Sequence, residues 1–189
     1  MRSGKLIVIS APSGSGKTTI AQEILNRNSD LKFSVSATTR SKRVGEDEGK
    51  DYFFLTEEDF KRELEAGNFV EWEELYGDFY GTLKSQVDCA LSGGQSMLFD
   101  VDVKGGLSIK RQYPDALLIF IRPPSLEALR ARLMNRKTEN PVTLQRRLDR
   151  VSMEMELGKK FDYEVVNDDL DTAIREVQSL VEQHFRKSH

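Results

Sequence analysis

Short, uninterrupted apolar runs alternate along this chain with segments whose apolar residues recur every three or four positions. The runs at residues 6–9, 96–101 and 117–121 lack the polar alternation of a half-exposed strand, which predicts buried parallel strands. A last strand is expected at 163–167. The segments that begin near residues 17, 82, 104, 125 and 170 carry the spacing of amphipathic helices. Strands that alternate with helices on an unrepeated chain predict an α/β fold, with a parallel sheet flanked by helices and right-handed crossovers.

The pattern changes between residues 34 and 82. Strands are expected at 33–36, 52–55 and 69–72, a short helix after Thr56, and an aromatic turn over 76–81. Thr82 is expected to cap the helix that follows. We therefore predict a small β-rich lobe at about 34–82, inserted into a core formed by residues 1–33 and 83–189.

The segment at residues 11–19, Ala-Pro-Ser-Gly-Ser-Gly-Lys-Thr-Thr, joins the first strand to the first helix. Gly14 and Gly16 allow successive N–H groups to point inward at the positive end of the helix, which forms a nest for anions. Lys17 adds a mobile positive charge, and the Thr18 hydroxyl suits Mg²⁺. Ala11 stands where the strict Walker A pattern has glycine, and a turn that merely caps a helix is the alternative. The context favours a nucleoside triphosphate phosphate site.

Composition narrows the classes of function. The chain has 189 residues, a net charge of −3, 31% charged and 38% apolar residues, which fits a single soluble domain and argues against indiscriminate nucleic-acid binding. Cys89 is the only cysteine, so neither an intrachain disulfide nor a thiolate zinc site is possible. The apolar runs are too short to span a membrane, and no signal peptide precedes the first strand. We expect a cytoplasmic protein.

Charged residues cluster at two further places. Asp100 and Asp102 follow a buried strand, whose carboxyl end is where ligands bind open α/β sheets. Two arginine-rich clusters flank a turn at 138–141, and this layout suits a helical lid at about 134–147 that closes over a polyphosphate. A solvated helix face is the ordinary alternative for these arginines.

Seven further motifs make the chain resemble the guanylate kinases, a family of P-loop nucleoside monophosphate kinases. The motifs are Ser-Val-Ser-Ala-Thr-Thr-Arg at 34–40, Gly-Lys-Asp-Tyr at 49–52, Phe-Val-Glu-Trp at 69–72, Tyr-Gly-Thr at 80–82, Asp-Val-Asp at 100–102, Pro-Pro-Ser at 123–125 and Val-Asn-Asp-Asp at 166–169. The resemblance extends from about residue 5 to residue 185, and the family commonly has alanine or glycine at position 11. Two departures are Asn-Arg-Lys at 135–137 in place of Gly-Arg-Gly, and Arg122 in place of an apolar residue.

The resemblance implies Mg²⁺-dependent transfer of a phosphoryl group from ATP to GMP, and also to dGMP. It assigns GMP binding to Ser36, Arg40, Arg43, Tyr52, Glu71, Tyr80, Thr82 and Asp102. Within this set the arginines and tyrosines hold the phosphate, and the carboxylates accept from the guanine N1–H and amine. The acceptor phosphate is already largely ionised at neutral pH, so positioning and charge neutralisation replace a general base.

The resemblance also assigns the donor side. ATP is bound by Ser13, Gly14, Ser15, Gly16, Lys17, Thr18, Thr19 and Asn167. Mg²⁺ is held by Thr18 and, through water, by Asp100. The catalytic residues are Lys17, Arg40, Arg136 and Arg147.

Two other functions are compatible with parts of the sequence. Guanylate-kinase-like domains of scaffold proteins bind peptides with the GMP lobe, but they typically have damaged phosphate loops. A kinase for another monophosphate, such as AMP or UMP, would keep the loop and change the base site. The sequence leaves the oligomeric state undetermined.

Overall fold

The computed structural model describes residues 4–75, 77–134 and 141–187, without the side chains of 132–134 and 141–149. The strands are β1 (Leu6–Ser10), β2 (Leu31–Phe33), β3 (Ala37–Thr38), β4 (Phe53–Phe54), β5 (Phe69–Leu75), β6 (Asp78–Leu83), β7 (Ser96–Asp100), β8 (Leu117–Arg122) and β9 (Tyr163–Val166). The helices are α1 (Lys17–Arg27), α2 (Glu57–Glu65), α3 (Lys84–Ser92), α4 (Val103–Gln112), α5 (Leu126–Met134), α6 (Pro141–Gly158) and α7 (Leu170–Arg186).

A five-stranded parallel sheet in the order β2-β7-β1-β8-β9 forms the centre of the molecule. Every residue of β1 is buried, because Ile7 and Ile9 pack with α1 and α7 while Leu6 and Val8 pack with α3 and α4 on the opposite face. Burial on both faces explains why the strand sequences show no polar alternation. The predicted α/β fold with a helix-flanked parallel sheet is confirmed.

A second, four-stranded sheet has the order β4-β3-β6-β5. Its hairpin of β5 and β6 turns at Gly77, whose φ of 89° lies in the left-handed region that glycine tolerates. Helix α2 covers the sheet with Phe60, which stacks on Phe69 at a centroid distance of 4.3 Å. Thr56 caps this helix by accepting a hydrogen bond from the Asp59 N–H, as its sequence predicts.

Three local expectations were wrong. Of the strand expected at 33–36, only Phe33 lies in a strand, at the end of β2; residues 34–36 connect β2 to β3, which belongs to the other sheet. The aromatic turn expected at 76–81 is strand β6 from Asp78 onward, because Gly77 supplies the turn. Thr82 does not cap α3; Leu83 holds the cap position, and Thr82 is a buried strand residue.

Helix α4 joins the two sheets. The Ser108 hydroxyl and the Gln112 side-chain amide both donate to the carbonyl oxygen of Val70 in β5, at 2.7 and 2.6 Å. At the start of α4, the Asp102 carboxylate accepts from the Gly105 N–H at 2.7 Å. The helix thereby sets where β5 lies relative to the carboxyl end of β7.

Within the described residues, no helix is both long and apolar enough to cross a membrane.

Gly106 provides a test of the packing of α4 on the core. A Cβ at this position would lie 2.7 Å from the Phe161 ring and 3.2 Å from a Val8 methyl group. Overpacking of this kind costs about 1–3 kcal/mol, which exceeds the gain of at most about 1 kcal/mol from placing alanine in a helix. We expect Gly106→Ala to lower the free energy of unfolding, measured by urea denaturation.

Gly93→Ala is the matched control, since a Cβ there meets its nearest atom at 3.4 Å. We expect this variant to stay within about 0.5 kcal/mol of the parent. Equal stability of both variants would contradict the packing described for α4.

Candidate active site

The turn between β1 and α1 has the backbone that an anion nest requires. Gly14 and Gly16 have φ values of 89° and 85°, and Gly16 is the N-cap residue of α1. The Ser15 N–H donates to the Pro12 carbonyl oxygen at 3.1 Å and closes the turn. A Cβ on Gly16 would lie 2.5 Å from Asn167 Nδ2, so conformation and space both require glycine.

Asn167 ties this turn to the far side of the sheet. Its Nδ2 group donates to the Ser15 carbonyl oxygen at 2.8 Å, and its backbone N–H donates to Arg122 at the end of β8. The side chain is buried, so this hydrogen bond is shielded from water. Asn167 therefore holds the loop in its curled conformation.

The first polar cluster lies where the loop meets the end of β7. Lys17 Nζ is 2.6 Å from Asp100 Oδ1 and 3.0 Å from the Val101 carbonyl oxygen, and the Thr18 hydroxyl is 3.3 Å from Asp100 Oδ2. Because β1 and β7 are parallel neighbours with Ile9 opposite Asp100, the loop and this carboxylate lie at the same edge of the sheet. An ammonium, a hydroxyl and a carboxylate thus converge beside the anion nest.

The second cluster surrounds a buried carboxylate. Glu71 is only 7% exposed, and its Oε1 accepts from the buried Thr82 hydroxyl across the β5–β6 hairpin at 2.7 Å. Glu71 Oε2 and Asp102 Oδ1 lie 3.1 and 3.2 Å from the point that a Cβ on Gly105 would occupy. The two carboxylates therefore flank one place on α4, and a glycine leaves the room for both.

The third cluster is cationic and aromatic. The Arg40 guanidinium lies 5.3 Å from the centre of the Tyr52 ring, and the Tyr52 and Tyr80 rings are 6.1 Å apart. Glu46 accepts from Arg40 Nη2 at 2.6 Å and from the backbone N–H of Arg43 at 2.8 Å. These contacts raise the pKa of Arg40 and lower that of Glu46, chiefly through their mutual hydrogen bond.

Comparison with known proteins identifies the family to which the chain belongs. The family model described as guanylate kinase matches residues 3–184. The chain belongs to the guanylate kinase family. It is 47% identical over 180 residues to a guanylate kinase of Chlorobium chlorochromatii, covering 95% of each chain. It is 49% identical to one of Salinibacter ruber, covering 94% of this chain and 95% of that protein.

A solved structure gives the same result at lower identity. The crystal structure of guanylate kinase from Anaplasma phagocytophilum superimposes with a TM-score of 0.74 at 30% identity, covering 97% of this chain and 87% of that one. The P-loop fold expected from the guanylate kinase resemblance is therefore confirmed.

The expected site residues divide into those in the clusters and those outside them. The clusters contain Lys17, Thr18, Asp100, Glu71, Thr82, Asp102, Arg40, Tyr52 and Tyr80. The exposed Ser13 and Thr19 belong to the loop and first turn of α1, while Ser36 has a backbone contact to Phe53 and Arg43 one to Glu46. Residues 135–140 of the expected lid, among them Arg136, lie outside the described residues, and so does the side chain of Arg147.

Sequence reasoning missed a network around Arg150 of α6. Its guanidinium contacts Glu154 at 2.8 Å, Asp102 at 3.1 Å and Glu73 at 3.3 Å. In the sequence Arg150 is one of several nearby arginines, and no local pattern pairs it with Glu73, which lies 77 positions away. The polar cluster at the base of the site is therefore larger than the guanylate kinase motifs indicate.

Burial governs the charge state of Glu71. Desolvation, helped by the negative charges of Asp102 and Glu73 and opposed by the Thr82 hydrogen bond, raises its pKa to about 7. The folded protein thus retains a proton that the unfolded chain has released above about pH 4.5. The contribution of Glu71 to the free energy of unfolding is therefore fully present below pH 4.5 and is lost as the pH rises through 7.

The Glu71→Gln variant avoids the loss of stability at high pH because the side-chain amide cannot ionise. We expect the variant to be more stable than the parent at pH 8, by on the order of 2 kcal/mol, and equal to it near pH 4.5. Thermal melts at both pH values measure the difference. Glu65→Gln, an exposed change on α2, is the control and should show no such pH dependence; a Glu71→Gln variant that gains nothing at pH 8 would contradict the burial argument.

Proposed function

We propose that this chain transfers the γ-phosphoryl group of ATP to GMP, giving ADP and GDP, and that dGMP is a second acceptor. The observation that carries the proposal is the buried Glu71 carboxylate beside Asp102. Asp102 lies two residues past Asp100, the end of the strand that meets the phosphate loop. The named guanylate kinases among its relatives support the same reaction.

Guanine fits the second cluster through its hydrogen-bond donors. Its N1–H and exocyclic amine lie side by side, and the two carboxylates of Glu71 and Asp102 are acceptors when ionised. The Thr82 hydroxyl, now bonded to Glu71, and the Ser36 hydroxyl supply donors for O6. Adenine presents an acceptor at N1, so binding it would leave a buried carboxylate unpaired, a mismatch that discriminates by about 10⁴–10⁵-fold in comparable sites.

The third cluster suits the phosphate of the acceptor. Arg40 offers a planar fork of donors, Tyr52 and Tyr80 add hydroxyls, and Arg43 adds a further positive charge. Glu46 holds Arg40 in place within this cluster. Because the second pKa of a phosphate monoester is about 6, the attacking oxygen needs no base, and the residues position it and neutralise its charge.

The first cluster suits the phosphates of ATP. In this proposal the loop amides within residues 14–19 bind the phosphates, Lys17 supplies the mobile charge, and Asn167 holds the loop through the Ser15 carbonyl oxygen. Arg136 and Arg147 complete the proposal as lid residues that neutralise the transferred group. In this proposal the lobe at about 34–82 binds the acceptor, and the segment at about 134–147 is the lid.

Thr18 and Asp100 fit Mg²⁺ by the chemistry of their donors. A hydroxyl and a carboxylate 3.3 Å apart are hard oxygen ligands. Among the described residues, no group of three or more His, Cys, Asp or Glu side chains forms a complete metal site. Mg²⁺ takes few protein ligands and completes its shell with water and substrate phosphates. Bound there, the ion would neutralise charge on the phosphates, while Asp100 also keeps Lys17 directed toward the nest.

The decisive test is a coupled assay of ADP release with Mg-ATP and GMP, dGMP, AMP, CMP or UMP as separate acceptors. We expect release with GMP and dGMP only. Lys17→Ala should reduce the rate by at least about 100-fold, as expected for loss of a charge that stabilises the transition state. Lys104→Ala, an exposed change on α4, is the matched control and should retain the parent rate.

The outcomes separate the alternatives. ADP release only with a monophosphate of another base would agree with a kinase but would reject the proposed role of Glu71. No ADP release with any acceptor, together with no ATP binding by calorimetry, would favour a peptide-binding interaction domain.

Gly105→Ala tests the geometry of the base site without removing a polar group. A Cβ there would press on both Glu71 and Asp102, so we expect KM for GMP to rise roughly five- to tenfold while KM for ATP stays unchanged. Gly106→Ala, the neighbouring change, should lower stability without that selective rise. Equal effects of the two variants on KM for GMP would contradict the proposed site.

A further inference from the structure

Arg150 lies among carboxylates that come from three separate elements. Glu73 belongs to β5, Asp102 caps α4, and Glu154 is one turn along α6 from Arg150 itself. Glu154 is 5% exposed and Asp102 is largely buried, so the network is partly shielded from water. Charge-assisted hydrogen bonds in such surroundings are stronger than exposed ion pairs.

The contacts of Asp102 show what Arg150 does in this network. Asp102 Oδ1 accepts from the Gly105 N–H at 2.7 Å, and Oδ2 accepts from Arg150 Nη2 at 3.1 Å. With one oxygen held by the helix and the other by the guanidinium, the carboxylate plane is fixed. Each oxygen still has a lone pair for a further donor.

Arg150 also offsets repulsion between the acidic groups. The negative charge of Asp102 raises the pKa of both Glu71 and Glu73, whereas the positive charge of Arg150 lowers the pKa of Glu73. Without the guanidinium, the carboxylates would repel one another, and Asp102 would lose the contact that holds its Oδ2 atom. A rotated Asp102 is a poorer acceptor for an amine.

We propose that Arg150 is a positioning residue for base recognition: it links α6 to Asp102 and Glu73 and orients Asp102 toward the 2-amino group of guanine. This rests on the proposed function, since it assumes that guanine occupies the second cluster. Arg150 touches neither nucleotide in this proposal and acts through Asp102.

Inosine monophosphate separates this role from a general structural one, because it keeps N1–H and O6 but lacks the 2-amino group. We expect Arg150→Met, which keeps an apolar stem, to lower kcat/KM for GMP about tenfold, and for inosine monophosphate less than twofold. KM for ATP should change less than twofold. Arg150→Lys retains a donor for Asp102 and should recover part of the loss.

Arg111→Met, an exposed change on α4, is the matched control and should leave every parameter at the parent value. In an Asp102→Asn background, Arg150→Met should no longer change the ratio of GMP to inosine monophosphate activity. Thermal melts confirm folding, and if Arg150→Met does not fold, Arg150→Lys with Glu73→Gln tests the same ratio.

Three results would overturn the proposal. They are an equal loss of kcat/KM with GMP and inosine monophosphate, a rise in KM for ATP as large as the effect on GMP, and no change in any parameter. Failure of the parent protein to make GDP would instead reject the proposed function. The two failures are therefore distinguishable.

Discussion

Burial of the Glu71 carboxylate is the constraint that shapes the middle of this molecule. A charge removed from water needs partners, and in the described structure Glu71 accepts a hydrogen bond from the Thr82 hydroxyl. Burial outweighs this bond and raises the pKa of Glu71 to about 7. Several neighbouring features follow from accommodating this group. Gly105 leaves room for it, Asp102 caps α4 beside it, and Ser108 holds β5 against the helix.

The parallel sheet explains why this carboxylate lies near the phosphate loop. Carboxyl ends of parallel strands meet at one edge, so the end of β1 leads into the anion nest and the end of β7 leads into Asp100 and Asp102. The problem for a phosphoryl transfer between two nucleotides is to bring anions together. Lys17 lies at one side of the site and Arg40 at the other, and both are held by carboxylates.

Local chemistry determined how well each feature could be predicted. The uninterrupted run at 6–9 and the glycines at 14 and 16 act through burial and backbone conformation, which the sequence displays directly. Thr82 was misassigned because a threonine before an apolar helix suits a cap, whereas its partner Glu71 lies on the opposite strand of a hairpin. The Arg150 network joins positions 77 and 48 residues apart, and such pairs have no local signature. Arg122, unusual for the family, lies 3.7 Å from Glu164 on the neighbouring strand.

The most direct test follows the charge of Glu71 itself. Carbon-13 NMR of the glutamate carboxyl groups, with Glu71→Gln for assignment, gives the pKa of Glu71 in the free protein and with GMP bound. We predict a value of about 7 in the free protein and a clearly lower one in the complex, because guanine donors stabilise the ionised form. An ordinary pKa in the free protein, or no shift when GMP binds, would contradict the central role of this buried carboxylate.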